Sequence, residues 1–329
     1  MNKLFAVILL IPFSVFGQTD SLRSLQELQE GTKLADVYNQ LSSAYLNVNL
    51  DSAFYFAEKG LKFSNSIDYA AGKAKALNRL ASYYGYKEDS EKAVILVKEA
   101  IAIASEFSLT ESEGESYLQL SDLYQNLNYS DSALFASRLS IQKFLDEEDS
   151  LQLSYAFNNL AIIYYRIGDY TSALDNYLKS LSIKETLGDD YGIASTLANI
   201  ALVYKNQGDF EKALLFNYKS IPYAKTTENL FGLGITYANI GNLHRKLSQY
   251  DSAFYYFDLS EQLARQVKDE VGLAILKVNK GNVYYSLKDY DQAIELYFKG
   301  LKNFEELKAN KLYVLDSYMN LSKSYFGLG

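Results

Sequence analysis

One alanine recurs every 40 residues without a slip: Ala53, Ala93, Ala133, Ala173, Ala213, Ala253 and Ala293. Seven residues after each comes a second small residue: Gly60, Ala100, Ser140, Ser180, Ser220, Ser260 or Gly300. Seven residues make about two helical turns, so the pair lies on one stripe of a helix. Upstream a tyrosine recurs at Tyr45, Tyr84, Tyr124, Tyr164, Tyr204, Tyr284 and Tyr325, and His244 takes its place once. Three residues before each of these stands Ser42, Ala81, Ser121, Ala161, Ala201, Gly241, Gly281 or Ser322. Every repeat therefore holds two helical patterns, with a polar turn such as Gly168-Asp169 or Gly208-Asp209 between them. Small residues let two helix backbones approach, and aromatics fill the space that remains. One helix pair cannot bury its apolar face alone. Stacked neighbours bury it, which predicts an all-α solenoid.

Composition narrows the chemistry. Of 329 residues 48% are hydrophobic, enough to build a core, and 30 Tyr and 18 Phe with no Trp make that core aromatic. The net charge of −8 argues against a nucleic-acid partner for this region, because phosphate neutralisation needs concentrated positive charge. The absence of Cys excludes disulfides and thiolate chemistry, and a single His leaves no multi-His metal site. No phosphate-binding glycine loop and no Gly-x-Ser-x-Gly elbow occurs, and the carboxylates are scattered. The expectation is a non-enzymatic chain without catalytic residues, metal or cofactor.

The clearest repeat runs Phe157-Asn158-Asn159-Leu160-Ala161-Ile162-Ile163-Tyr164, then Gly168-Asp169-Tyr170-Thr171-Ser172-Ala173, then Tyr177 and Ser180. It resembles the tetratricopeptide repeat family, over roughly residues 33 to 329. The family's Trp and closing Pro are missing, and the period is 40 rather than about 34. That longer form is similar to repeats of peptide-sensing and G-protein-regulator arrays. Gly72, Gly192, Gly232 and Gly272, each nine residues before the small residue of the first helix, support this. The resemblance implies a right-handed superhelix of antiparallel helix pairs that binds a protein or peptide in its concave face. Residues 33–310 form seven repeats, 311–329 the first helix of a truncated eighth, and 18–32 an amphipathic lead-in helix. No linker-like stretch divides the array, so one continuous domain is expected.

Residues 1–17 (MNKLFAVILLIPFSVFG) have a basic start, a short apolar run and a small residue before polar Gln18-Thr19-Asp20. This is the pattern of a secretory signal peptide, too short to span a membrane. The mature chain is expected on the periplasmic or extracytoplasmic side of the envelope. The lone first helix at 311–329 leads us to expect further chain beyond it. The resemblance then implies the exported sensory part of a histidine kinase or regulator, with membrane contact only through that missing segment. A free-standing envelope scaffold is the alternative.

An amide column stands two residues before the small first-helix residue: Asn159, Asn199, Asn239, Asn279 and Asn320, with Gln40 and Gln119 earlier and Arg79 breaking it. Asn242 and Asn282 hold a second position on the same helices. By the resemblance these face the groove, and an amide can donate to and accept from a peptide group at once. The same amides could instead tie neighbouring helices together. Arg166, Lys205, Arg245 and Lys246 stand near first-helix ends, either as a basic wall for an anionic peptide or as solvated cations complementing the helix dipole. His244 is expected to fill the tyrosine slot. Asp146-Glu147-Glu148-Asp149 reads as a solvated loop, and Pro222 as a kink or early end of its helix.

Exported material is expected to begin at Gln18. Amino-terminal sequencing that returns an intact Met1 would refute export through this segment.

Overall fold

A computed structural model describes residues 22, 23, 26, 29–147 and 149–328. The leader-like segment 1–17 and most of 18–32 lie outside the described residues. Within 18–32, Leu22, Arg23 and Gln26 are helical. The described chain is all-α, and its contacts cluster into two compact units, residues 1–187 and 188–329. This division departs from the expected single domain, and it falls between two repeats, so no helix pair is split.

The first unit contains α1 (Gly31–Tyr45), α2 (Leu50–Ser66), α3 (Ala70–Tyr86), α4 (Ser90–Glu106), α5 (Thr110–Asn126), α6 (Ser130–Asp146), α7 (Ser150–Ile167) and α8 (Tyr170–Leu187). The second contains α9 (Asp190–Gln207), α10 (Phe210–Thr226), α11 (Leu230–Lys246), α12 (Tyr250–Gln266), α13 (Glu270–Ser286), α14 (Tyr290–Glu306) and α15 (Lys311–Leu328). Odd-numbered helices are the first, or A, helix of each repeat, and even-numbered helices the second, or B. In every complete pair A packs most heavily on its own B.

The turns follow a tighter rule than the 40-residue period. Left-handed residues occur at 68, 88, 108 and 128, then every 20 residues from 168 to 308, with φ between 50° and 88°. Each ends a helix, and the next amide bonds back into the last turn, as Asp169 to the Tyr164 carbonyl (2.9 Å) and Asp209 to the Tyr204 carbonyl (3.0 Å). At Gly168 and Gly208 an added Cβ would meet nothing within 4 Å, so backbone conformation alone selects glycine there. The residue after the turn caps the next helix. Asp89, Asp149, Asp169, Asp209 and Asp289 each accept from the amide three residues on, at 3.0–3.2 Å. Two members of the acidic run thus have structural places, Asp146 ending α6 and Asp149 capping α7.

Ala53 keeps 1% of its surface and the six alanines that follow in the column keep none. Opposite them lie the small A-helix residues. Ser42 and Ser121 donate to the carbonyls of Ala53 (2.8 Å) and Ala133 (3.0 Å). A second clasp joins the other end of the pair: Ser140 to the Gly114 carbonyl (2.9 Å), Ser180 to Ser154 (2.8 Å) and Ser260 to Gly234 (2.7 Å). In two repeats the small residue shrinks to glycine because a large ring takes its place. A Cβ on Gly241 would sit 2.6 Å from the Phe257 ring, and one on Gly281 2.8 Å from Tyr297. The tyrosine column stacks on the B helix three residues past the alanine: Tyr45 on Phe56 (5.6 Å, 11°) and Tyr204 on Phe216 (5.4 Å, 15°).

Leu22 is buried with Val37, Tyr38, Leu41 and Tyr45, and the Arg23 guanidinium lies 5.4 Å from the Tyr45 ring centre. Pro222 does not end its helix early: α10 continues to Thr226. The missing N–H leaves the Tyr218 carbonyl without its intrahelical donor, and the helix runs on for four more residues. At the other end α15 buries Ser317, Leu321 and Ser324, while Leu315, Tyr318 and Tyr325 remain exposed. No helix among the described residues is long and apolar enough to cross a membrane.

Ala213→Leu forces extra methylenes between α10 and its partner and should cost about 1–3 kcal/mol. An unchanged thermal unfolding midpoint would show that the alanine column does not carry the close approach.

Candidate ligand-binding face

A helices touch their counterparts in the next repeat from α1 to α7 in the first unit and from α11 to α15 in the second. No comparable contact joins consecutive B helices. The A helices therefore line the inner side of each stack. By register, residues two before and one after the small A-helix residue fall on that inner surface, together with those four and five residues after it. The amide column and the basic residues stand at these places.

In the first unit the amides of the A helices hold the stack, both the buried ones three residues before the small residue and those of the column. Asn39 donates to the Gly72 carbonyl (3.1 Å) and Asn78 to the Ser116 hydroxyl (2.8 Å). Gln119 donates to the Asn78 carbonyl and the Ser82 hydroxyl, both at 2.9 Å. Asn159 is buried; it accepts from Ser121 (2.9 Å) and donates to Asp122. This corrects the expectation of a groove amide at Asn159: its oxygen and nitrogen are both engaged by α5. Arg166 is exposed at a shallow indentation with Gln125, Asn128, Ser130 and Ile163.

The same floor is charged. Lys75 lies 3.8 Å from Glu111, and the buried Nε of Arg79 has no partner although Glu115 is near enough to act on it. Asp122 is exposed to the groove, yet neighbouring helices crowd it. Loss of hydration there pushes its carboxyl up to about 7, against a smaller opposing pull from the Asn159 amide.

The second unit is built differently. Asn239 on α11 and Asn279 on α13 are half-buried, and among the described residues neither side chain has a hydrogen-bond partner. Ile235, Ala238, Ile275 and Val278, all partly exposed, lie near them on the same helices. Asn242 spends its Nδ2 on the Ala238 carbonyl one turn back (3.2 Å). Asn282 accepts from the Tyr297 hydroxyl (2.8 Å), so it is turned toward α14 rather than left wholly to the groove. Asn199 on α9 is engaged, as is the exposed Lys205. Arg245 is partly buried, and Lys246 beside it is exposed.

His244 occupies the tyrosine slot. It stacks on Tyr256 at 5.4 Å and 8°, its Nδ1 lies 2.6 Å from the side-chain Oε1 of Gln249, and its Nε2 lies 2.8 Å from the Tyr218 hydroxyl. With Gln249 accepting from Nδ1, the neutral ring accepts the Tyr218 proton at Nε2. Both nitrogens are engaged in packing. Among the described residues no cluster of His, Cys, Asp and Glu could hold a metal ion.

Residues 152–226 and 232–306 match the model of the tetratricopeptide repeat. No curated protein matches the chain. Several solved structures share its fold. One is a signal-transduction ATPase with numerous domains and a tetratricopeptide repeat sensor, from Pyrococcus horikoshii. It is 15% identical with a TM-score of 0.73, covering 97% of this chain and 47% of that one. Another is aspartyl phosphate phosphatase F of Bacillus subtilis, 16% identical with a TM-score of 0.63, covering 95% and 90%. A third is the Rap conjugation gene regulator of the plasmid pLS20, solved in complex with a Phr peptide. It is 13% identical with a TM-score of 0.53, covering 95% and 94%.

Because the Asp122 carboxyl is raised in the fold, its ionisation weakens the fold. That stability is present in full below the ordinary carboxylate pKa and is lost as pH rises toward about 7. Asp122→Asn should therefore raise the melting temperature at pH 8 and leave it nearly unchanged at pH 4. An equal shift at both pH values would exclude the ionisation as its cause.

Proposed function

We propose that the chain is a non-enzymatic binding module whose ligand is an extended peptide or protein segment lying along the A helices of the second unit. One observation carries this reading: Asn239 and Asn279 repeat at a 40-residue spacing on the A helices, and among the described residues their amides serve no hydrogen bond. The equivalent amides of the first unit, Gln119 and Asn159, are consumed in holding helices together. A half-buried amide that does nothing for the stack is suited to pair with a peptide group, donating and accepting together. Ile235 and Ile275, partly exposed and one turn before the two amides, offer apolar surface to a ligand's side chains. The Phr peptide bound by the Rap regulator of similar fold supports a peptide as ligand.

The sensory reading belongs to the same proposal. The leader-like residues 1–17 would carry the groove to the extracytoplasmic side, and binding there would be read by a signal-transduction output. A coding sequence beyond Gly329 that holds a span of about 20 apolar residues favours this over an envelope scaffold.

The Asn239→Ala/Asn279→Ala double variant should keep the helical circular dichroism and melting temperature of the parent. It should capture peptides from a random displayed library at least about tenfold more weakly, the scale of one or two lost hydrogen bonds to a ligand. Equal capture by the two proteins would end the reading. Unfolding of the variant would assign the amides to the stack.

A further inference from the structure

We infer that Arg245 on α11 is an anchor for a carboxylate of the bound chain; this rests on the groove reading above. Arg245 stands four residues after Gly241, on the inner surface that also carries Asn239 and Asn242. Its Nε is buried without a hydrogen-bond partner. No ion pair engages the side chain among the described residues. The terminal nitrogens, equally without a protein partner, remain accessible.

Three other sheltered cations each have a carboxylate nearby, although Arg79, too, has a buried Nε without a hydrogen-bond partner. Lys280 on α13 is held by Asp258 (2.7 Å) and Glu261 (2.6 Å). Lys143 on α6 meets Glu113 at 2.9 Å. Arg79 in the first unit has Glu115 close enough to act on it. Around Arg245 the ionisable neighbours are the phenols of Tyr297 and Tyr250, which can supply no charge at neutral pH, and burial opposes the guanidinium's own charge. The Tyr297 hydroxyl, moreover, is committed to Asn282.

A desolvated guanidinium with no counter-charge lacks the pairing that buried charges ordinarily have. The group that best supplies it is planar, anionic and able to accept two parallel N–H bonds, which is a carboxylate. A lysine would serve a point anion equally well. The rigid fork at this position fits a carboxylate presented edge-on by an Asp or Glu side chain or by a peptide C-terminus. Lys246, exposed on the next position, adds positive charge at the same end of α11.

The experiment uses the full chain and random octapeptides prepared in two forms, free acid and C-terminal amide. The wild type should select peptides rich in Asp or Glu from the amide pool if a side chain is bound. It should select the free-acid pool without such enrichment if the terminus is bound; either result supports a carboxylate at Arg245. Arg245→Gln should erase the preference by about tenfold or more while apolar selection persists, and Arg245→Lys should restore it only in part. Because the variant removes an unpaired guanidinium, its melting temperature should not fall. A wild type that captures peptides with no dependence on a carboxylate overturns this inference and leaves the groove reading standing. An unchanged preference in Arg245→Gln does the same. A marked loss of stability in Arg245→Gln overturns it too, by making the guanidinium structural. Failure to capture any peptide overturns both.

Discussion

The contact between the alanine stripe of each B helix and the small residue of its A helix is the constraint from which the other features follow. At that point two backbones come close enough for Ser42 and Ser121 to reach a carbonyl on the facing helix. Any larger side chain would push the helices apart, and the clasps at the far end of the pair, such as Ser260 to Gly234, would open with them. The repeats hold the alanine constant and adjust around it. Where Phe257 and Tyr297 bring large rings to the interface, the opposite residue shrinks to Gly241 and Gly281. Close packing tolerates neither the void nor the overlap that an uncompensated change would leave.

The turns set the register for this contact. One left-handed residue every 20 positions gives A and B helices nearly equal length, so successive alanines come back to the same height. Nine of these positions carry a residue other than glycine, each at some conformational cost. The amides that bond back into the preceding helix, and at positions 88, 268 and 288 the capping carboxylate that follows, offset it. Turn geometry is thus where local sequence and stacking meet, since a turn one residue longer would rotate the alanine off the interface by about 100°.

The two units have the same fold but furnish their inner faces differently. In the first unit, polar side chains bridge consecutive A helices, and charged groups such as Arg79, Glu115 and Asp122 stand beside them. In the second, α11 and α13 present aliphatic residues, two unengaged amides and an unpaired guanidinium. The first arrangement spends its hydrogen-bonding capacity inside the protein. The second leaves that capacity to a ligand. This difference, rather than the family resemblance, places the proposed site at α11 and α13.

Periodicity alone determined the helices, their pairing and the structural rank of the alanine column. A 40-residue repeat of small residues admits few other ways of burying so many aromatics, and His244 could be assigned to packing by register before its partners were known. Propensity predicts a break at Pro222, yet α10 continues to Thr226. The roles of the amides were decided by tertiary structure. Asn159, Asn239 and Asn279 occupy one register position and look equivalent in the sequence. Asn159 meets Ser121 and Asp122 on the helix before it, whereas Asn239 and Asn279 meet no such partner. The character of Arg245 was likewise hidden, because the lack of a carboxylate around a side chain is a property of every helix packed near it. Repetition along the chain fixes which positions face inward. Which of those positions are already satisfied depends on neighbours 40 residues away, and only the folded stack brings them within hydrogen-bonding distance.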